Sequence, residues 1–372
     1  MPITAPGRPP FRADHIGSLL RPAPLRQAFR RHAGGELGDE EFRRIQDDSI
    51  RDAIRLQQEA GLAVVTDGEF RRGSYWSRFV ELTDGLAVRD ARFRFRDEHG
   101  HEQSFTAPYV EGKLRRRRPI ALDEFEFLRA AAKATPKITL PSPSTMHFWR
   151  GQSYAEPGLY ADPAAFFRDL AAVYRAEIAD LARAGCRYVQ LDEVALAMLC
   201  DAGAREQVKA DGGDPEALAD LYVEAINQAV ADHPQEMAVG VHVCRGNFKG
   251  KYLAEGGYES IAEKLFQRAR VGHFLLEFDT PRAGDFAPLR LVPRDKGVVL
   301  GLVSSKLAAL EPLDQLRRRI DEASRYIDLE RLAISPQCGF ASTVAGNPVT
   351  EEVERAKLGR VVETARAVWG TA

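Results

Sequence analysis

The chain has 372 residues, of which 44% are hydrophobic and 28% are charged, and its formal net charge is −2. This composition suits one large globular core, and the near-neutral charge gives no reason to expect a nucleic-acid partner. The chain contains four cysteines, too few for a disulfide-stapled secreted scaffold, so reduced thiols and a cytoplasmic location are expected. The N-terminal segment lacks the apolar core of a signal peptide and no later run is long enough to cross a bilayer, so no membrane partner is expected.

Short apolar runs alternate with helix-period segments along the chain. The runs that are typical of buried strands are HIGS, AVVTDGE, KITLPSP, CRYVQLDE, MAVGVHVC, HFLLEFD, GVVLGLV and LAISPQC. Because eight strands alternate with helices, the sequence predicts an α/β fold, a single (β/α)₈ TIM barrel over residues 1–372, rather than an open sheet.

Three of the predicted helices have recognisable ends. Asp39 is expected to cap a helix that runs through Gln58, and Asp162 a helix over residues 163–184, each followed by a glycine. Thr350 is expected to cap the last helix, which has two glutamates in its first turn.

Residues 76–119 depart from the alternation. The run RFRFRDEHGHEQSF alternates aromatic and charged residues around a turn expected at His99 and Gly100, which predicts an antiparallel β-hairpin inserted after the second strand. The adjacent basic run, Arg115 to Arg118, suits either an anchor for phosphate or polyglutamate or a solvated edge, and the solvated edge is the favoured interpretation.

Four residues of metal-binding type stand at the ends of predicted strands: His242 and Cys244 on the fifth, Glu277 on the sixth and Cys338 on the eighth. The carboxyl ends of barrel strands meet at one rim, and residues two apart on a strand point the same way. Because tetrahedral zinc takes nitrogen and sulfur ligands with occasional carboxylate, a zinc site is predicted. Asp279 shares the face of Glu277 and is a rival ligand. In the alternative interpretation the histidine and the cysteines simply pack in the core.

Three more polar side chains are expected at the same rim: Ser18, Glu69 and Asp192. Beside a zinc ion, two carboxylates and a hydroxyl can hold the ammonium and carboxylate groups of an amino acid. Alternatively, Glu69 and Asp192 cap helices or pair with Arg71 and Arg72.

In their order along the chain, HIGS, TDGEF, QLDE, HVCRGN, LLEFD and PQCG resemble the catalytic barrel of cobalamin-independent methionine synthase, and most closely the single-barrel members of that family. The resemblance covers nearly the whole chain. It implies an S-methyltransferase that moves a methyl group from methyltetrahydrofolate or another donor to the thiolate of homocysteine, giving methionine. It also implies Zn²⁺ with the ligands His242, Cys244, Glu277 and Cys338, and homocysteine held by Ser18, Glu69 and Asp192.

Zinc would supply the nucleophile of such a reaction. A free thiol has a pKa of about 8.5, so neutral solution holds little thiolate, whereas metal coordination stabilises it. Two cysteine ligands leave the bound sulfur nucleophilic, which suits alkyl transfer better than hydrolysis.

The chain departs from the family pattern at the seventh strand. Ser304 and Ser305 stand where full-length members carry a histidine that helps protonate the folate leaving group, so the donor is left open between a folate and another methyl donor. Trp149 is near where the family stacks its pteridine, and His147 and His273 are candidates for the missing acid.

Two other functions stay open. A zinc thiolate serves equally well in joining another thiol to an electrophile such as an epoxide, and a binding barrel with a purely structural zinc is the non-enzymatic alternative. The expected partner is homocysteine or a similar small thiol, and the sequence leaves the oligomeric state open, a homo-oligomer included. Cys186 and Cys200 are assigned to packing.

Overall fold

The computed structural model of the protein describes residues 5–96 and 100–372. Its strands are β1 (Val64–Val65), β2 (Thr83–Asp90), β3 (Phe95–Arg96), β4 (Glu102–Gln103), β5 (Thr106–Arg116), β6 (Thr135–Pro136), β7 (Ile138–Pro141), β8 (Tyr188–Glu193), β9 (Ala238–Val243), β10 (His273–Glu277), β11 (Gly297–Val303) and β12 (Leu332–Pro336).

Its α-helices are α1 (Ala23–Ala33), α2 (Asp39–Glu59), α3 (Ser77–Glu81), α4 (Leu122–Ala131), α5 (Pro163–Arg183), α6 (Ala195–Met198), α7 (Ala202–Ala210), α8 (Pro215–Ala229), α9 (Glu259–Ala262), α10 (Leu313–Ala323) and α11 (Glu351–Trp369). Short 3₁₀ or π segments occupy Pro143–Met146, Phe148–Ser153, Glu263–Gln267, Pro281–Ala283, Ala287–Leu291 and Leu329–Arg331. Within the described ranges, no helix has the length and apolar character needed to span a membrane.

The central feature is a six-stranded parallel sheet in which β7, β8, β9, β10, β11 and β12 are hydrogen-bonded neighbours in chain order. All six strands are buried along their whole length, as expected for strands covered by helices on one face and by core side chains on the other. The predicted α/β class with a parallel sheet is confirmed.

Shorter parallel contacts continue this sheet at both ends. β1 pairs with β6, the segment immediately before β7, and at the other end Ala13 forms a parallel bridge with Ile334 of β12. A backbone hydrogen bond of 3.1 Å from Leu19 to the carbonyl of Gly68 links the first segment to the loop after β1. The strand predicted at HIGS is wrong in position, because the chain pairs at Ala13 and HIGS itself forms no ladder.

The helix caps follow side-chain chemistry at two of the three predicted positions. Asp162 accepts a hydrogen bond from the Ala165 amide at 2.7 Å, and Thr350 caps α11, so both predictions are confirmed. The prediction at Asp39 is wrong. Gly38 is the cap, and Asp39 is the first helical residue, where its charge faces the positive end of the helix dipole.

The segment between β1 and β6 is antiparallel. β2 pairs with β5 and β3 with β4, so the chain doubles back on itself within the region predicted as a hairpin. The predicted turn residue His99 lies outside the described residues, and Gly100 adopts a φ of +78°.

Three of the four arginines in the basic run at the end of this segment are paired with acidic residues. Arg115, whose side chain is 80% exposed, lies 2.7 Å from Asp84, which Arg117 also contacts, and Arg116 lies 2.7 Å from Glu177. These pairs favour the solvated edge over an anion anchor.

A buried polar network crosses the interior of the sheet at the amino ends of its strands. Lys137 and Asp14, both fully buried, form an ion pair at 2.8 Å, and the Tyr188 hydroxyl lies 2.7 Å from Asp14 and 2.8 Å from Nε2 of His273.

Burial lowers the pKa of His273 to about 4. His273 begins β10 and Glu277 ends it, so this histidine lies at the opposite end of the strand from the predicted ligands and the acid hypothesis for it is wrong.

Candidate metal centre and adjoining cavity

Three strands bring the four predicted ligands together. His242 is the last residue but one of β9, and Cys244 directly follows that strand. Glu277 ends β10, and Cys338 lies two residues after the end of β12. One ligand atom from each residue lies within 4.8 Å of all the others, and all four residues are buried. The parallel alignment of neighbouring strands therefore turns residues far apart in sequence into one cluster.

The donor atoms of this cluster fit a metal ion. Nδ1 of His242 lies 3.2 Å from the carbonyl oxygen of Leu275, to which it donates as an N–H, so Nε2 keeps its lone pair. That Nε2 atom is buried and has no hydrogen-bond partner among the described residues. The sulfur atoms of Cys244 and Cys338 are 3.3 Å apart and both thiols are free. One imidazole, two thiols and a carboxylate form a donor set suited to zinc.

The buried acidic groups of the cluster also favour a bound cation. A hydrogen bond from Cys244 lowers the pKa of the Cys338 thiol well below its usual range, and the pKa of Cys244 rises because that thiol keeps the shared proton. Burial raises the pKa of Glu277. Two thiolates and a carboxylate can all be ionised in this buried space only when a positive ion compensates them.

Asp279, the predicted rival ligand, does not belong to the cluster found among the described residues. β10 ends at Glu277, so the two-residue alternation on which the prediction depended stops before Asp279. Burial raises its pKa, and Lys306 and Arg282 oppose that rise. Of the two rival carboxylates, the structure therefore places Glu277 in the cluster and Asp279 outside it.

A cavity with a volume of about 530 Å³ opens beside the cluster. Its wall includes His242 and Cys338, and also Ser18, Glu69 and Asp192, the three residues predicted to hold an amino acid. The structure therefore brings the predicted ligands and the predicted substrate residues to one space.

Asp192 is a buried carboxylate in the wall of the cavity. Oδ1 accepts a hydrogen bond from the amide of Gln190 at 2.7 Å. Burial, followed by the charge of Glu69, raises the pKa of Asp192 to about 7. A carboxylate held in this way gains from an incoming ammonium group, because that group restores the lost solvation.

Glu69 stands in an unusual backbone conformation, with a φ of +61°. Its Oε1 accepts from the hydroxyl of Thr139 at 2.7 Å, and Arg72 lies 3.7 Å away but pairs more closely with Glu124, at 2.6 Å. Oε2 is buried without a hydrogen-bond partner among the described residues. One oxygen of Glu69 is thus held and the other is left for a ligand.

Ser18 is positioned by a close approach of two loops. The backbone carbonyl of Ser18 accepts from the Phe340 amide at 2.9 Å, beside the proposed ligand Cys338. A Cβ atom at Gly339 would lie 1.9 Å from the Ser18 hydroxyl oxygen. Only glycine at 339 lets the hydroxyl and the metal cluster share the wall of the cavity.

Aromatic residues form much of the remaining wall, and the sequence did not single most of them out. Trp149 lines the cavity as predicted, together with Tyr75, Trp76, Phe95, Phe105 and Phe248. The one available signal was the alternation of aromatic and charged residues in the predicted hairpin, which contains Phe95 and Phe105.

His147, the other candidate acid, lies away from this cavity. Its Nδ1 is 2.9 Å from the hydroxyl of Tyr222, it lines a separate small cleft, and burial lowers its pKa to about 3. A histidine that stays neutral and faces Tyr222 does not serve as an acid for chemistry at the cluster, so this hypothesis is wrong.

The two serines in place of the family histidine both have hydroxyl groups that bond to backbone groups. The Ser305 hydroxyl donates to the carbonyl of Gly339 at 2.9 Å, and the Ser304 hydroxyl accepts from the Lys306 amide at 3.2 Å. The next residue, Lys306, donates to the carbonyl of Gly246 at 3.0 Å. No residue from 304 to 306 lines the cavity.

The parallel α/β fold and the four-ligand cluster at the ends of its strands define a methionine synthase-like methyltransferase. Residues 11–367 match the model of the cobalamin-independent synthase catalytic domain, and the chain belongs to that family.

Similar proteins agree with this assignment. The uncharacterized protein YxjH of Bacillus subtilis is 42% identical over 364 residues, covering 97% of this chain and 95% of that protein. A methionine synthase of Pyrococcus abyssi is 28% identical over 331 residues, covering 87% and 85%. Among solved structures, a Listeria monocytogenes protein assigned as a vitamin-B12-independent methionine synthase is 32% identical, with a TM-score of 0.77 and coverage of 97% and 98%. A B12-independent methionine synthase from Shewanella, 21% identical with a TM-score of 0.74 over 96% and 97%, has the same fold.

Proposed function

We propose that the protein is a zinc-dependent S-methyltransferase that moves a methyl group to the thiolate of homocysteine and releases methionine. The observation that carries the proposal is the convergence of four ligand atoms within 4.8 Å at the wall of a cavity that also presents Asp192 and Glu69. Membership of the cobalamin-independent synthase family supports it.

The chain's own residues divide the work. His242, Cys244, Glu277 and Cys338 would hold the zinc, which when bound keeps the substrate thiol ionised near neutral pH. Asp192 and the free oxygen of Glu69 accept hydrogen bonds from the substrate ammonium, and Ser18 donates to its carboxylate.

This assignment of an amino-acid site draws on one solved neighbour. The Shewanella protein was solved in complex with selenomethionine, the selenium analogue of the proposed product. An amino acid of this kind suits the cavity wall that Ser18, Glu69 and Asp192 share.

The proposed architecture is one barrel domain over residues 1–372, with residues 76–119 as an insertion. The six-stranded parallel sheet, the β1–β6 pair at one edge and the Ala13 bridge at the other support closure of the sheet into a ring. In a closed barrel all strand ends face one mouth, which accounts for the shared cavity.

Removal of one sulfur ligand tests the proposal. We expect Cys244→Ala to lose zinc on dialysis and to lose methionine formation, because three remaining ligands hold the metal weakly and the thiolate is no longer stabilised. Metal content by atomic emission and methionine by chromatography are the measurements. Cys186→Ala is the matched control, since Cys186 is a buried thiol outside the cluster, and it should retain both properties. Near-normal turnover in a metal-free Cys244→Ala variant would refute the mechanism.

A further inference from the structure

We infer that Lys306 and Arg245 supply the positive charge that lets the metal centre accept the thiolate of its substrate. This role rests on the proposed S-methyl transfer and adds two positioning residues to it. Neither side chain belongs to the ligand cluster, and neither lines the cavity. Both therefore act on the substrate through the centre and not by contact with it.

Lys306 is a buried cation without a carboxylate partner. It lies three residues after the end of β11, and its Nζ atom donates to the carbonyl oxygen of Gly246 at 3.0 Å. Among the described residues it forms no ion pair. Because a buried ammonium group loses hydration, its charge needs compensation from negative groups nearby.

The negative groups that Lys306 influences are those of the ligand cluster. Burial raises the pKa of Glu277, and the positive charge of Lys306 is the strongest influence that opposes this rise. The same charge acts to lower the pKa of Cys244 and Cys338, after the hydrogen bond between the two thiols and their burial. Lys306 thus favours the ionised form of three ligands at once.

Arg245 is a second buried cation beside the cluster. It is fully buried, and none of its three side-chain nitrogens has a hydrogen-bond partner among the described residues. Its guanidinium lies 4.4 Å from the ring centroid of Tyr258, whose hydroxyl accepts from the Glu277 amide at 2.9 Å. A ring face compensates a buried guanidinium only in part, so negative charge from the centre is needed as well.

The backbone after β9 joins both cations to the ligands. The amide of Arg245 donates to Oε1 of Glu277 at 2.8 Å, and the amide of Gly246 donates to Sγ of Cys244 at 3.3 Å. The carbonyl of the same Gly246 accepts from Lys306. This short stretch of chain therefore holds two positive side chains beside two of the four ligands.

The charges of the loaded centre account for two such cations. Two thiolates and a carboxylate exceed the charge of Zn²⁺ by one, and a substrate thiolate adds a second negative charge. Lys306 and Arg245 together balance these two charges, which would otherwise be costly in a buried space. Asp279, which Lys306 also influences, is half-buried and has Arg282 as a further cation.

Two ligands that differ in the charge of their sulfur test this role. Homocysteine brings a thiolate to the centre and methionine a neutral thioether, while both present the same ammonium and carboxylate groups. Lys306→Gln keeps a donor for the Gly246 carbonyl and removes the charge. For this variant, zinc-loaded and at neutral pH, we expect calorimetry to give a dissociation constant roughly tenfold higher for homocysteine and within about twofold of wild type for methionine. Arg245→Gln should show the same selective loss.

Two further lysine variants separate charge from packing. Lys306→Arg keeps the positive charge and should recover most of the affinity for homocysteine. Lys296→Gln is the matched control, because Lys296 is also buried and donates to a backbone carbonyl, that of Phe266, at 2.7 Å. It directly precedes β11, at the opposite end of that strand from Lys306, and its replacement should leave binding of both ligands unchanged.

Zinc content distinguishes a role in charge from a role in holding the ligands. Removal of a neighbouring cation does not weaken the attraction of the centre for Zn²⁺, so Lys306→Gln and Arg245→Gln should retain the metal by atomic emission. Loss of zinc from these variants would overturn the inference. Equal weakening of homocysteine and methionine would overturn it too, because the shape of the site would then be the cause.

The wild type provides a separate readout for the proposed function. Cobalt(II) in place of zinc gives a sulfur-to-cobalt absorption band that changes when another thiolate binds. No change on adding homocysteine to the wild type would overturn the proposed function and this role with it. A change in the wild type, with the same homocysteine affinity in Lys306→Gln, would overturn the role of the cations and leave the proposed function intact.

Discussion

Replacement of Asp192 tests the proposed amino-acid site separately from the proposed metal site. Its carboxylate lines the cavity but is not one of the four clustered ligands. We expect Asp192→Asn to weaken homocysteine binding roughly tenfold, the order of one lost hydrogen bond to a charged group. Zinc content should not change. Titration of the cobalt-substituted protein with homocysteine measures the affinity, and an unaltered affinity would discard the assigned role.

At the residue scale the sequence predicted the cluster and missed the aromatic wall, for a physical reason. Of the four clustered residues, His242 and Glu277 lie on regular strands, where the two-residue period states which side chains share a face, and Cys244 directly follows β9, so His242 and Cys244 were correctly expected to lie together. Asp279 lies two residues beyond β10 and outside the cluster. Phe105 and Phe248 come from separate segments that meet only in the folded chain, and no local pattern predicts that meeting.

At the scale of single elements, α11 carries a buried acid that makes stability depend on pH. Glu354 accepts a hydrogen bond from the Leu20 amide at 2.9 Å, and burial raises its pKa to about 8. An unfolded glutamate has a pKa of about 4.3, so between about pH 4.3 and 8 unfolding releases a proton from this group. The free energy of unfolding therefore falls as the pH rises through this window.

Replacement of this acid should remove that dependence. Glu354→Gln keeps an oxygen for the Leu20 amide and cannot ionise, so we expect the variant to gain stability over the wild type on going from pH 5 to pH 8, by on the order of 3 kcal/mol. Urea unfolding at the two pH values measures it. Glu352→Gln, an exposed change on the same helix, should show no such gain. A difference between wild type and Glu354→Gln that stays constant with pH would contradict the assignment.

The start of a helix was predictable where a side chain caps it. Asp162 and Thr350 form their caps through their own oxygens, and both types are recognisable in sequence. The helix at Asp39 instead begins at a glycine whose backbone is extended and which offers no side-chain oxygen. The sequence pattern could not separate these two ways of starting a helix, so the predicted boundary was displaced by one residue.

For the molecule as a whole, the buried ion pair between Lys137 and Asp14 joins the segment before β7 to the first segment of the chain. Lys137→Met leaves the Asp14 carboxylate buried without its cation, and we expect a loss of about 3–5 kcal/mol in the free energy of unfolding. Adding Asp14→Asn should recover most of this loss, because the stranded charge disappears. Chemical denaturation of both variants is the measurement. A double variant no more stable than Lys137→Met would show that the charge is not the cause.

The order of strands and helices was predictable for the whole molecule because each buried strand forms its own apolar run. How the sheet is completed was not. The first segment meets β12 at Ala13 through a contact between residues 321 positions apart, Ala13 and Ile334, and the polar residues beside it gave no strand pattern. Long-range pairing of a short, polar segment depends on partners that a local pattern does not contain.

Glu69 keeps its carboxylate in a left-handed backbone conformation that glycine adopts more easily. A laboratory evolution experiment that rewarded heat resistance alone would favour glycine there, since relief of backbone strain is worth about 1 kcal/mol. Lineages selected for methionine production should resist that change. The residue found at position 69 would thus show whether the population had been selected for heat resistance or for methionine production.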